Sequence, residues 1–357
     1  GMPELDPRTA RSFLVVRLGA LGDALRALPA VRRLRREMPD AQIGWALEDW
    51  VYPLLRGNSN IDRFHVLNRD ALRAGGIRAA REFLRFISEI RGFRYDVALD
   101  FHGRLKSGLV SRFSGAPVRV GYARGQCTEA NHLFNNLKIT LSDPFENRVQ
   151  RFMHLLGPLV ADTDVDLNDT GIEIPEKVRA RARRWYRSAG SPPLAVFPGC
   201  SLNQSDYHRW PLDNWVALLR ELGNKGAASI LFWGPDEAAL CREIAAAAGA
   251  HCRLAPHTGL YEMMAMLGLF RVFLGSNTAA MHMAWMQGVP TAVFTGPAQP
   301  RTDAPHPPVP CRVLRADEYQ VPGVSKRRQP DVTAKVSVSD ALEAVLTLLN
   351  AKTDRAD

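Results

Sequence analysis

The sequence predicts an α/β protein of two doubly wound domains, each a parallel sheet with helices on both faces. Short apolar, β-branched runs alternate with helical patterns along nearly the whole chain, and many of those runs stop at a glycine. Length agrees, since 357 residues suit two cores better than one.

Phe13-Leu-Val-Val-Arg17 reads as the first strand, Gly19 and Gly22 break it, and residues 24–38 carry a helical period. Strand-like runs follow at residues 43–47, 64–67, 97–101 and 118–122, with helical segments such as 77–90 between them. The rhythm lapses at the polar stretch 161–171, which suits a connection and sets a first domain at 2–171. It restarts in a second domain, 172–338, with strands at 194–197, 230–233, 272–274 and 292–294, each running into a glycine-bearing loop. Four such loops at one carboxyl edge mark the place where open α/β sheets receive ligands. Residues 339–357 hold a last helix, 339–349, capped by Ser339, whose return to the first domain is left open.

Composition narrows the classes. Hydrophobic residues at 46% and charged residues at 23% are ordinary for a globular chain. No run approaches the roughly 18 apolar residues of a membrane span, and no leader pattern is seen. A cytoplasmic chain is expected, with Gly1 before Met2 read as a tag remnant. Five scattered cysteines, Cys127, Cys200, Cys241, Cys252 and Cys311, lack metal or disulfide spacing. The net charge of +9 attracts anions without choosing among nucleic acid, a membrane face and phosphorylated substrates. Arginines cluster at 32, 33, 35 and 36 and again from 179 to 187, where a solvated helix face is the plain alternative to a binding patch.

Three segments offer chemistry. Val16-Arg-Leu-Gly-Ala-Leu-Gly-Asp23 puts a carboxylate at a helix start after a glycine loop, so Asp23 is either an N-cap or a base. Only two glycines of G-x-G-x-x-G are present, and no acid is read at the end of the next strand, which disfavours a nicotinamide site. Phe197-Pro-Gly-Cys-Ser201 with His208-Arg209-Trp210-Pro211 supplies backbone NH groups, a hydroxyl and a guanidinium, the parts of an anion-binding loop or of an ordinary turn before a helix. Gly275-Ser-Asn-Thr278 opens a helix whose NH groups favour a second anion, so the two loops together suit a pyrophosphate. Asp162, Asp164, Asp166, Asn168, Thr170 and Glu173 have calcium-loop spacing, but Leu167 stands where that loop needs glycine.

Val16-Arg-x-Gly-x-x-Gly-Asp23 with Leu28-Pro-Ala30 resembles the opening motif of the ADP-heptose:lipopolysaccharide heptosyltransferases. Asp100-Phe-His-Gly-Arg-Leu-Lys-Ser107 is similar to a later segment of that family, particularly of heptosyltransferase I. Phe197 to Ser201, Trp210-Pro211, Phe232-Trp-Gly-Pro-Asp-Glu237, Asn277-Thr-x-x-x-His282 and Phe294-Thr-Gly-Pro297 then follow in family order.

The resemblance implies a GT-B fold of two Rossmann-like domains facing across a cleft, with the acceptor on the N-terminal one and an ADP-sugar on the C-terminal one. It implies inverting transfer of a heptose or related sugar to a hydroxyl of an anionic lipopolysaccharide inner-core glycolipid. No metal and no cofactor beyond the ADP-sugar are expected, and no nucleic acid. The chain is expected to be peripheral to the inner membrane. Asp23 becomes the general base. Gly199, Cys200, Ser201, His208, Arg209, Asp236, Glu237, Asn277, Thr278, Ala279 and His282 fall to the donor, and Arg17, Gly22, Arg104 and Lys106 to the acceptor. This sequence departs from the pattern at His208, where the family has lysine, at Asn277 for aspartate, and at Ala279 and Met281 for glycine and serine. Those departures keep open a different donor, an epimerase-like reaction, or a nucleotide-binding relative without catalysis.

Overall fold

The computed structural model describes residues 6–200, 209–317 and 332–351. Its contacts divide the chain between Glu173 and Ile174 into two units, each with its own sheet.

The first sheet is built from β1 (Ser12–Val16), β2 (Gln42–Glu48), β3 (Arg63–Leu67), β4 (Val97–Asp100), β5 (Val118–Tyr122) and β6 (Leu137–Ile139). Every pairing is parallel and the order is β3-β2-β1-β4-β5-β6. Phe13, Leu14, Val15 and Val16 on the central strand are wholly buried, as expected of a parallel strand covered on both faces. The second sheet holds β7 (Leu194–Phe197), β8 (Ser229–Leu231), β9 (Cys252–Leu254), β10 (Val272–Ser276), β11 (Thr291–Phe294) and β12 (Cys311–Leu314). Its order, β12-β11-β10-β7-β8-β9, is the same topology counted from β7, again all parallel. In both units the strand order reverses beside the first strand, between β1 and β4 and between β7 and β10. Such a switch point leaves the carboxyl-end loops splayed around a crevice.

Three strands escaped the sequence reading. β6, β9 and β12 lie on sheet edges, have three or four residues, and carry partly exposed side chains, so they lack the apolar run that betrays a central strand. The last helix runs Val338–Asn350, and its cap is Ser337, whose hydroxyl accepts from the Asp340 NH at 3.0 Å. Ser339 sits inside the first turn instead. The helix buries Ala341, Val345 and Leu348 with Leu218, Leu219 and Phe294 in the core of the second unit.

The arginines of the helix Leu21–Glu37 are not a free solvated face. Arg32 donates to Asp169 at 2.8 Å and to Asn60 at 3.0 Å, Arg33 to Asp162 at 3.0 Å, and Arg36 to Asp169 at 2.7 Å. Arg35 holds the carbonyls of Pro39, Ala41 and Asn60. The acids with calcium-loop spacing are thereby partly engaged, and Glu173 takes the Ser59 hydroxyl.

Candidate active site

In the first unit the carboxyl ends of β1 and β4 are paired through Val16 and Asp100. Beyond Val16 comes Arg17, and the chain enters the helix Leu21–Glu37 through Ala20, which supplies no side-chain cap. Gly22 is buried in the first turn. Asp23 is therefore not the cap. One of its oxygens takes the Arg17 guanidinium, and the other takes Arg26 Nη2 at 2.7 Å, one helical turn on. Arg148 Nε lies 3.8 Å from that second oxygen. The carboxylate keeps 18% exposure, so a ligand can still reach it. Burial lowers Arg17 to about 10, opposed by Asp23 and aided by Arg148 and Arg26, which leaves it charged at neutral pH.

Arg17 also donates to the carbonyl of Phe101 at 3.2 Å, tying the β1 loop to the β4 loop. That second loop is built around Asp100, which is wholly buried and accepts from the NH groups of His102 and Gly103, each at 3.0 Å, and from Asn131 Nδ2 at 2.6 Å. Burial pushes the Asp100 carboxyl up against these bonds. Gly103 turns the chain at φ +70°, a conformation that favours glycine. A cavity of about 320 Å³ opens beside the turn, its wall including His102, Arg104, Tyr122, Arg148 and Arg151.

Arg104 reaches this cavity, with Glu129 4.0 Å away. Lys106 is placed elsewhere: its ammonium sits on Glu48, which also accepts from Trp50 Nε1 at 2.7 Å and lies 3.7 Å from Arg69. Glu48 is the last residue of β2, a position the sequence reading left without an acid.

In the second unit a cavity of about 240 Å³ is lined by Gly199, Cys200, Arg209, Trp210, Asp236 and Glu237, from the loops after β7 and β8. Glu237 accepts from the Gly234 NH at 3.0 Å, and burial pushes its carboxyl up. Gly199 packs on it so tightly that an added Cβ would lie 2.1 Å from Glu237 Cγ. Ser201 and His208 lie outside the described residues.

β10 neighbours β7, and Gly275 pairs with Phe197. A Cβ on Gly275 would meet the Phe197 carbonyl at 2.8 Å, which explains the glycine where the two loops diverge. Thr278 caps the helix Ala279–Trp285 through the Met281 NH at 3.4 Å, and Ala279 is its first residue. His282 is buried; its Nδ1 accepts from Trp285 Nε1 at 2.8 Å, because an indole NH can only donate. Its Nε2 faces Asn277 Oδ1 at 3.2 Å, so His282 orients Asn277 rather than offering a free nitrogen.

Sequence reasoning missed Arg26, Arg148, Arg151 and His102. His102 stood in a quoted segment. Arg148 and Arg151 sit on the short helix Arg148–His154, which has no periodic signal of its own.

Two parallel sheets of one doubly wound topology, each with a cavity beside its switch point, define a two-domain α/β protein of the GT-B type. The chain belongs to glycosyltransferase family 9 (heptosyltransferase), whose model matches residues 83–327. It is 26% identical to lipopolysaccharide heptosyltransferase 1 of Salmonella typhimurium over 80% of this chain and 89% of that protein. Among solved structures, a family 9 glycosyl transferase from Veillonella parvula matches with TM-score 0.78 and 20% identity, covering 98% of this chain and 99% of that one. E. coli heptosyltransferase WaaC with ADP matches with TM-score 0.74 and 19% identity, covering 94% and 99%.

Proposed function

We propose that this glycosyltransferase moves a heptose from ADP-heptose to a hydroxyl of a lipopolysaccharide inner-core acceptor, with inversion and without a metal. The observation that carries the reading is the Asp23 carboxylate, partly exposed among Arg17, Arg26 and Arg148 at the switch point of the first unit. In the reaction an acceptor hydroxyl oxygen bonds to the anomeric carbon, the bond from that carbon to the ADP phosphate breaks, and the hydroxyl proton passes to Asp23. A carboxylate has about four lone-pair sites. The arginines fix the carboxylate in place, and its 18% exposure lets the hydroxyl reach it.

The donor is assigned to the second unit. Arg209, permanently charged and forked, suits the pyrophosphate oxygens, Asp236 and Glu237 suit ribose hydroxyls, and Asn277 and Thr278 complete the neighbouring loop. Positive charge here takes the negative charge that develops on departing ADP. On the acceptor side Arg104, Arg148 and Arg151 suit the anionic groups of an inner core. The glycolipid acceptor places the protein at the cytoplasmic face of the inner membrane as a peripheral enzyme; among the described residues no helix is long and apolar enough to cross a membrane.

The test is mass spectrometry of heptose-free lipopolysaccharide core incubated with ADP-heptose, or with UDP- and GDP-sugars. The reading predicts a gain of one heptose from the ADP donor. No product from ADP-heptose, with product from another nucleotide sugar, overturns it.

A further inference from the structure

His102 has a place in this site that the transfer chemistry above does not use. It follows Phe101, whose carbonyl is held by Arg17 at 3.2 Å, and Arg17 in turn holds Asp23. Asp100 fixes its backbone NH at 3.0 Å, so the ring stands on a rigid turn. His102 is one of the residues lining the cavity of about 320 Å³, together with Arg104, Arg148 and Arg151. Nδ1 is buried and has no hydrogen-bond partner. An unpaired buried donor costs more than an unpaired acceptor lone pair. The proton of the neutral ring therefore belongs on Nε2, the nitrogen left to serve the cavity.

We infer that His102 is a specificity-determining residue, an uncharged donor whose Nε2–H holds a hydroxyl or ring oxygen of the acceptor sugar beside Asp23. The inference rests on the acceptor assignment of the proposed function. Its chemistry is distinct from that of the surrounding arginines, which suit anions. A sugar oxygen needs a directed neutral donor, and a protonated ring here would add a further cation among guanidinium groups. Burial and then the Arg17 charge hold the imidazole down to about 3, so the ring stays neutral throughout the working range.

The experiment measures binding and steady-state transfer with deacylated, heptose-free lipopolysaccharide core oligosaccharide as the probe. The full-length chain is compared with His102→Ala and His102→Gln, and thermal melts check folding. The expected result is that His102→Ala weakens oligosaccharide binding and raises the acceptor KM by about tenfold, the loss of one hydrogen bond, with the KM for ADP-heptose unmoved. His102→Gln, which keeps a neutral donor, recovers to within about threefold of the parent chain. Equal acceptor affinity in all three proteins overturns the inference alone. Failure of the parent chain to bind or use the oligosaccharide overturns the functional reading and this inference with it. Equal weakening by Ala and Gln in folded proteins also overturns it, because a lost shape rather than a lost donor would then be the cause.

Discussion

At the scale of single residues, one acid and one imidazole of the first unit's site sit in opposed electrostatic surroundings. Guanidinium groups lie against the Asp23 carboxylate, whereas the half-buried His102 is kept from its cation first by burial and then by the Arg17 charge. The second has a consequence for stability. The folded-state value of His102, about 3, lies below the ordinary 6.5, so as pH falls the unfolded chain takes the proton first. Stability is then lost from about pH 6.5 downward, by up to about 1.4 kcal/mol per pH unit for one such imidazole. His65, which burial lowers against the pull of Glu89, adds in the same direction. Denaturant titrations at pH 7 and pH 5 should show a smaller loss for His102→Gln than for the parent chain; an equal loss would mean the ring is protonated in the fold. In the second unit, Gly199→Ala should push Glu237 aside and weaken ADP binding by about tenfold in calorimetry, about 1.4 kcal/mol. Unchanged affinity would remove Glu237 from the ribose. Asp23 was legible as a candidate base at a helix start, but not its arginine partners, because Arg26 and Arg148 meet it only in the folded chain.

At the scale of elements, the central strands were legible because they are buried on both faces and read as short apolar runs, which in the second unit lead into glycine-bearing loops. Edge strands β6, β9 and β12 were not, since their exposed side chains leave no such run. The helix Leu21–Glu37 carried a second hidden fact. Its arginines have the composition of a solvated or membrane-seeking face, yet Arg32 and Arg36 converge on Asp169 in the connection to the second unit. Burial works to raise that carboxyl, and the two arginines outweigh it, leaving it below the ordinary range. Both pairs are partly exposed, so the expected effect is modest. Asp169→Asn should lower stability by about 0.5–1 kcal/mol, with the difference shrinking once pH drops below about 4, where the unfolded carboxyl takes its proton first, and gone when the folded carboxyl is protonated as well. A melting point unchanged at neutral pH would return these arginines to the role of surface charge.

At the scale of the molecule, one topology is used twice, and the two copies carry different chemistry at their switch points. The first places a carboxylate among arginines beside its cavity. The second places a guanidinium, two acids and a tightly packed glycine around its own. In the proposed function the acceptor and the base therefore fall to one unit and the nucleotide to the other. Hydrogen exchange with and without ADP should accordingly show added protection at the loops after β7, β8 and β10, and protection centred on the β1 and β4 loops instead would reverse the assignment. The most direct test of the central claim joins both halves in one variant, Asp23→Asn. Turnover of ADP-heptose with the core acceptor is measured alongside calorimetric affinity for ADP. Loss of a general base predicts a fall in rate of about a hundredfold to ten-thousandfold, with ADP affinity nearly unchanged. Near-normal turnover in Asp23→Asn would contradict the account.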